Sequence, residues 1–438
     1  MAMKHASPQP FEKAFPQTNH PDLPPSAASL INNRVITVEE AEQLIADSLE
    51  TLPSETVSIE DALGRVLRET LRADRNAPPF NRSTFDGIAL SYAAIEQGRS
   101  AFPITGTAFA GSPRLSLDDS NACVEIMTGA PLPDQADCVV KVEDLDIVDG
   151  TARIREGTPL DRGHGVHPEA SDCQAGQVLL EPGCQLTAKE LSIAASIGKA
   201  ELLVSQIPRI SIFTTGDELV PIAAQPLPHQ IRRSNDLALD SALASTGYVQ
   251  TRRLHILDDL KETESVIASI LEQSDIIILA GGISKGKRDF LPEALETAGV
   301  SKSFQWVAQR PGKPLWFGDY TINDRKSYVF ALPGNPVSCF TCLHRYVLPA
   351  LDQLCGLPAR APQYAKLKSE FQFKPPITLF LPVLIEYDAN GQTWAEPLPF
   401  NTSGDYISVA RTQGFIELPQ NETQFVSGSA HRFRPWQT

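Results

Sequence analysis

The sequence predicts an α/β plus β protein of several domains, and three observations carry that reading. Strand-like and helix-like segments alternate between residues 207 and 350, which predicts a three-layer α/β unit with ligands at the carboxyl ends of its strands. Within it, Ile276 to Ala280 is an unbroken apolar run, the kind of strand that parallel sheets bury on both faces. At about 75–167 and again after about Pro358, helical periodicity gives way to short runs separated by Gly, Pro and Asp, the pattern of small β-rich units. Length agrees, because single cores stop growing near ~250–300 residues and this chain has 438.

The elements follow in order. Residues 1–33 are rich in Pro, Ser, Asn and Gln without apolar periodicity and predict a flexible tail. Thr37 and Glu40 form a capping box at the start of TVEEAEQLIADSLETL, with Ala41, Leu44, Ile45 and Leu49 on one helical face. A second helix is expected from Ile59, in IEDALGRVLRETL. Short strands are expected in ACVEIM and ADCVVKVED, and a helix in TAKELSIAASIG. RISIF then gives a strand, LALDSALASTG a helix closed by Gly247, YVQTRRLHILDD a strand and ETESVIASILEQ a helix. TLFLPVLIEYD, GFIELP and HRFRPW supply the final β unit. The domains so drawn are a tail at 1–33, a discontinuous unit at 34–74 and 168–206, a β-rich unit at 75–167, an α/β unit at 207–356 and a β unit at 357–438.

Composition excludes several classes. Fifty-three acidic residues against 38 basic ones leave a net charge of −15, which argues against nucleic-acid binding because phosphate affinity rests on clustered Lys and Arg. The longest apolar runs fall well short of the ~20 residues a membrane helix needs. No apolar secretory segment opens the chain, so a cytoplasmic location is expected. Seven scattered cysteines make a poor disulfide framework, and Cys339–Cys342, the single CxxC, lacks a second ligand pair for zinc and reads better as packing thiols.

Five segments have the residue types for chemistry. In DIIILAGGISKGKRD, paired Gly281 and Gly282 let backbone amides approach an anion, though an ordinary strand-to-helix turn fits the same residues. Gly281-x4-Gly286-Lys287 nearly spells a P-loop, but Arg288 stands where Ser or Thr would hold magnesium. After RISIF, Asp217 and Glu218 could hold Mg²⁺ or place a water, or could equally be the acidic first turn of a helix. Arg310-Pro311-Gly312-Lys313-Pro314 and Leu332-Pro333-Gly334-Asn335-Pro336 are two stiff turns, the first carrying two cations; a pocket rim for an anion is one reading and plain loop geometry the other. Asp86-Gly87 closes PFNRSTFDG in the earlier β-type region, and Thr128-Gly129 ends an apolar strand-like run; each alone could be a simple turn.

Taken in order, PPFNRSTFDGIA, IMTGAPLPDQADCVV, PRISIFTTGDELV, IILAGGISKGKRDF, RPGKP and LPGNPVS resemble the molybdopterin molybdenumtransferases, the MoeA-type molybdenum insertases to which the C-terminal domain of gephyrin is related. The resemblance covers about 34–438. It implies an elongated multi-domain chain whose α/β domain binds molybdopterin and whose discontinuous first domain forms a homodimer. The implied reaction takes molybdate and adenylylated molybdopterin, cleaves the phosphoanhydride, releases AMP and leaves molybdenum on the dithiolene. Such a reaction needs charge neutralisation and an aligned oxygen more than a protein nucleophile.

By the same resemblance Asp217, Glu218 and Asp289 place Mg²⁺. Ser284, Arg310 and Lys313 hold phosphate or molybdate, and Pro333, Gly334, Asn335 and Pro336 shape the pocket floor. Asp86 and Thr128 reach in from the second subunit. Implied partners are the molybdopterin adenylyltransferase and the enzymes that accept the finished cofactor. The chain departs from the family at His167-Pro168-Glu169-Ala170-Ser171-Asp172, which keeps Asp172 but loses the usual arginines and the Glu of Gly-Glu-Asp, and at Ile88 where Tyr is usual. His164 and His167 lack further ligands for a metal. Three rivals are weighed. The adenylyltransferase itself is disfavoured by the extra β-rich segments, an idle scaffold by the retained acidic positions, and a nicotinamide-nucleotide-processing relative by the absence of Gly-Pro-Thr after Gly282.

Overall fold

The computed structural model describes residues 34–283, 291–398 and 405–436. The expected tail at 1–33 and the stretch from Ser284 to Phe290, which includes Asp289, lie outside the described residues. Helix Val38–Ser48 begins as its sequence requires: the Glu40 amide donates to Thr37 Oγ1 at 3.1 Å, and the Thr37 amide donates to the Glu40 carboxylate at 2.8 Å. Its buried face is Val38, Ala41 and Ile45, while Leu44 turns to solvent, 41% exposed. The strand before it, Val35–Ile36, adds to the edge of the main sheet alongside Ser301–Val307.

The helix expected from Ile59 forms only as a 3₁₀ turn at Ile59–Asp61. Gly64 sits at φ +79°, and the backbone beyond it finds partners elsewhere: Leu67 N–H donates to Cys184 O at 2.9 Å and Arg68 N–H to Leu203 O at 2.8 Å. Long-range pairing wins over helical periodicity here because it buries Leu67 and Leu71 against Leu186, Leu202 and Val204. Ser54–Ser58 likewise pairs antiparallel with Glu201–Ser205. Between these two returning stretches the chain builds a six-stranded sheet, ordered Cys138–Lys141, Gly87–Leu90, Cys123–Ile126, Ala101–Ala108, Thr151–Ile154 and Leu145–Val148.

The main sheet has seven strands, ordered Val35–Ile36, Ser301–Val307, Pro314–Ile322, Arg325–Leu332, Ile276–Ala280, Ile210–Thr215 and Thr251–Ile256. The last four run parallel, as expected, but Pro314–Ile322 is antiparallel to both neighbours. Alternation along the central strand separates the layers. Ile277 and Leu279 pack with Ile267, Leu271 and Leu295 on one face. Ile276 and Ile278 pack with Leu239, Leu243 and Leu351 on the other. The second face is covered by Asn235–Ser245 and by a long helical stretch, Pro336–Cys342 and Leu348–Leu354, interrupted by a π-helical turn at Leu343–Val347.

The C-terminal strands form a second six-stranded sheet that closes on itself, because Thr378–Tyr387 pairs with both Thr393–Pro397 and Gly414–Leu418. Gln309–Arg310, at the start of the RPGKP turn, adds a short parallel edge to it. All seven cysteines are free. Cys339 and Cys342 are buried in the Pro336–Cys342 helix, and burial pushes both thiols up, that of Cys342 to about 12. Among the described residues no helix is long and apolar enough to cross a membrane.

Candidate functional site

At the carboxyl ends of Ile210–Thr215, Ile276–Ala280 and Arg325–Leu332 lies a cavity of about 440 Å³. Parallel strands leave their last carbonyls and the following turns at this edge, so loops from distant sequence meet there. Thr215 and Glu218 form one wall, Gly281 to Ile283 a second, and Pro333 to Pro336 the floor. Arg232, Arg233 and Asn235 close the remaining side.

Local backbone chemistry explains why these turns fit. Gly216 takes φ +143°, and a β-carbon there would fall 2.6 Å from Glu218 Oε2, so the carboxylate folds back over a residue that must be glycine. Asp217 and Glu218 are not the first turn of a helix. They sit in a turn that leads into Leu219–Val220, held parallel to Ile231–Arg232, with Ile231 N–H donating to Glu218 O at 2.9 Å. Asp217 Oδ1 accepts the Asp258 amide at 3.1 Å, while Thr215 Oγ1 donates to Asp258 Oδ1 at 2.6 Å. Asn235 Nδ2 donates to Gly334 O at 2.8 Å and ties the arginine segment to the proline-rich floor.

The structure therefore gathers Glu218, Pro333, Gly334, Asn335 and Pro336 around one space, with Asp217 beside it. Ser284 and Asp289 lie outside the described residues, directly after the Gly281–Ile283 wall. Arg310 and Lys313 are exposed and do not line the cavity, although Pro314 does. Their turn is drawn toward the C-terminal sheet by the pairing of Arg310 with Leu379. Gly312 is wedged so that a β-carbon would lie 2.5 Å from Cys342 Sγ.

Among the described residues the cations lining the cavity are instead Arg232 and Arg233, which the motifs above do not include. Their signal was present: two adjacent arginines directly before the Ser234-Asn235 start of a helix, in a chain with a large excess of acid. Arg233 is paired with the buried carboxylate of Asp236 at 3.1 Å, which leaves Arg232 as the guanidinium facing Glu218 without a carboxylate of its own among the described lining residues, an arrangement open to an anionic ligand.

Asp86 and Thr128 form a separate constellation on the sheet of residues 87–154. Asp86 is exposed, and its Oδ1 accepts the Thr128 amide at 2.6 Å and the Thr128 hydroxyl at 2.7 Å. Those two bonds, the amide foremost, hold its carboxyl below the usual 3.8. Gly87 follows because a β-carbon there would fall 1.9 Å from Val140 O. Nearby, Asp172 Oδ1 is 3.1 Å from His167 Nε2, and His167 Nδ1 in turn faces Arg82 at 3.2 Å. The altered segment thus forms a short polar relay from Arg82 through His167 to Asp172. Among the described residues no group of three or more His, Cys, Asp or Glu side chains is arranged to cage a metal.

Comparison with known proteins places most of the chain. Residues 36–198 match the MoeA N-terminal region (domain I and II), 211–353 a probable molybdopterin binding domain, and 364–432 the MoeA C-terminal region (domain IV). A protein of Synechocystis sp. named molybdopterin molybdenumtransferase is 40% identical over 403 residues, covering 92% of this chain and 100% of the relative. One of that name from Staphylococcus aureus is 31% identical, covering 90% and 94%. The solved structure of a molybdopterin biosynthesis MoeA protein from Pyrococcus horikosii superposes with a TM-score of 0.75 at 27% identity, over 92% of this chain and 100% of that one.

Proposed function

The chain belongs to the MoeA family and is a transferase of molybdenum cofactor biosynthesis, and from that premise we propose how its residues insert molybdenum from molybdate into adenylylated molybdopterin with release of AMP. The observation that carries the site assignment is the convergence, in one cavity, of Glu218, the Gly281–Gly282 turn, the Pro333–Pro336 floor and two arginines. Glycine turns leave room for the phosphates at the strand ends, and Arg232 and Arg233 neutralise the charge that grows on the leaving AMP. Glu218 orients the attacking oxygen toward the phosphoanhydride. Arg310 and Lys313, exposed on the turn that runs into Pro314, are assigned to holding the incoming molybdate. Ser284 and Asp289 are assigned to the same cavity from their place in the sequence.

The donor set fits Mg²⁺. That ion is usually bound by one or two carboxylates plus substrate phosphates rather than by an all-protein cage, and Glu218 with the adjacent Asp217 offers hard oxygen ligands at the cavity edge. When bound it would neutralise the phosphate oxygens and so favour departure of AMP. The carboxylate of Asp217 is oriented by the Asp258 amide.

We further propose a homodimer in which Asp86 and Thr128 of one copy complete the cavity of the other. Their pinned carboxylate stands fully exposed on its own sheet, with a ready hydrogen-bonding geometry and no enclosure. A cytoplasmic location and hand-over from the adenylyltransferase complete the reading. The test is AMP release from adenylylated molybdopterin by Glu218→Gln, which keeps the shape of an exposed side chain and removes its charge. Release should fall by roughly 100-fold or more with folding intact. Wild-type release would remove Glu218 from the mechanism.

A further inference from the structure

A second concavity, of about 930 Å³, lies between the helical stretch 336–354 and the C-terminal sheet. Its chemistry differs from that of the strand-end cavity. One wall is aromatic: Phe340 packs edge-on against His344 at 4.5 Å between ring centroids and against Tyr406 at 5.8 Å, and Trp436 lies 5.3 Å from both Phe340 and His344. The opposite side carries Arg360, Arg432 and Arg434. An adjoining pocket of about 370 Å³ shares those three arginines and adds Arg345.

Four guanidiniums meet three carboxylates here. Glu42 and Glu417 are shared among Arg345, Arg432 and Arg434, and Asp352 pairs with Arg360 at 2.9 Å. Arg432 has only a 3.7 Å contact to Glu42 and is one-third exposed, so its guanidinium has capacity for a further anion.

Two buried groups point the same way. His344 is 6% exposed and lines the cleft, yet its Nε2 has no hydrogen-bond partner among the described residues. Arg345 is 2% exposed, and its Nη1 also lacks a partner. A buried polar atom left unpaired costs free energy unless something completes it, and His344 Nε2 and Arg345 Nη1 both belong to residues that line these pockets. Both residues belong to the π-helical turn Leu343–Val347, a rare local geometry found disproportionately at functional sites, which sets consecutive side chains toward neighbouring pockets. The cleft also adjoins the strand-end cavity. A narrow crevice shares Ser234, Asn235 and Pro336 with that cavity, and Phe340 and Tyr406 with the cleft.

We propose that this cleft is a second binding site, for a planar heteroaromatic ring carrying an oxyanion, with the ring against Phe340 and Trp436, a ring hydrogen-bonding group at His344 Nε2, and the oxyanion on Arg432. Stacking surfaces and cationic forks are the two parts such a ligand requires. AMP and a pterin bearing an acidic group share this chemistry. Their choice as probes rests on the reaction proposed above, because both kinds of ring belong to its substrate and the cleft adjoins the cavity where they are separated. Occupancy here would hold a released product away from the reacting centre without leaving the protein.

The test uses the full chain and the fluorescence of Trp436, since no tryptophan lines the strand-end cavity. AMP and 6-carboxypterin are titrated separately, with adenosine and inorganic phosphate as controls and calorimetry as a second readout. Saturable quenching by at least one probe is expected, weakened roughly tenfold in Arg432→Gln and in His344→Phe, with Trp436→Phe losing the signal but retaining calorimetric binding. The stronger probe identifies the source of the ring. No saturable response at millimolar probe, equal affinity in Arg432→Gln and His344→Phe, or equal binding of inorganic phosphate alone would each overturn the proposal. The assay contains no molybdate, magnesium or adenylylated substrate, so its failure leaves the insertion reading standing, and a failure of that reading in the AMP-release assay leaves the cleft result intact.

Discussion

The strand-end cavity and the Asp86–Thr128 corner use nearly the same parts, a carboxylate and a glycine where a strand meets its turn, yet they are built in opposite ways. In the cavity, glycine supplies space: a β-carbon on Gly334 would meet nothing closer than Gly281 Cα at 3.5 Å. At the corner, glycine removes a collision, because Gly87 runs against the backbone of Val140. Glu218, though exposed, borders a cavity also lined by two arginines, whereas Asp86 stands exposed on its own sheet and is held by a single threonine. The contrast teaches that a well-oriented acid is only part of a site. Orientation is local and can be built on one exposed turn, but enclosure and charge complementarity require several segments.

That comparison can be broken at its glycines. Gly87→Ala should destabilise the protein by roughly 3 kcal/mol or more, read as a lowered urea midpoint, because rigid backbone stands 1.9 Å from the new carbon. Gly334→Ala should leave that midpoint nearly unchanged and reduce AMP release instead. Equal stability losses would erase the distinction between glycine as clearance and glycine as ligand room.

Whether the two regions form one site is answered by mixing Asp86→Ala with Glu218→Gln subunits. In a two-fold dimer with shared sites, half of randomly mixed dimers are heterodimers and each keeps one intact site, so about a quarter of wild-type activity should return. No recovery would confine the site to one chain.

The smallest expected effect concerns pH. The Asp86 carboxyl is depressed first by the Thr128 amide and then by its hydroxyl. A carboxyl with a lowered folded value is fully ionised above its unfolded value and loses that form as pH falls through the folded one. Thr128→Val keeps the amide and removes the hydroxyl, so the acid limb of the AMP-release profile should move to higher pH. An unmoved limb would mean that Asp86 does not set it.

Much of this molecule was legible because some signals are local. The capping box at Thr37 and Glu40, the apolar run Ile276–Ala280 and the glycine at 247 each encode their own geometry in adjacent residues, and each forms as read. Glu218 and the Pro333–Pro336 turn stood out through the family resemblance, since their residues alone fit a helix start or plain loop geometry equally well. The segment after Ile59 misled because its apolar spacing fits a helix equally well, and only pairing with residues 184–186 and 203–205 decides against it. The RPGKP turn was legible as rigid and cationic, but its direction was not, since the pairing of Arg310 with Leu379 comes from a strand about seventy residues later.

By itself, then, the sequence determined most of the element types, the family, and which turns are rigid or acidic, since propensity, capping and backbone freedom act over a few residues. Only the tertiary structure decided which charges share a space: Arg232 and Arg233 rather than Arg310 and Lys313 beside Glu218, and His344 with Arg345 buried beside a cleft. The reason is that electrostatics and burial depend on distance through space, and distance along the chain carries almost no record of it.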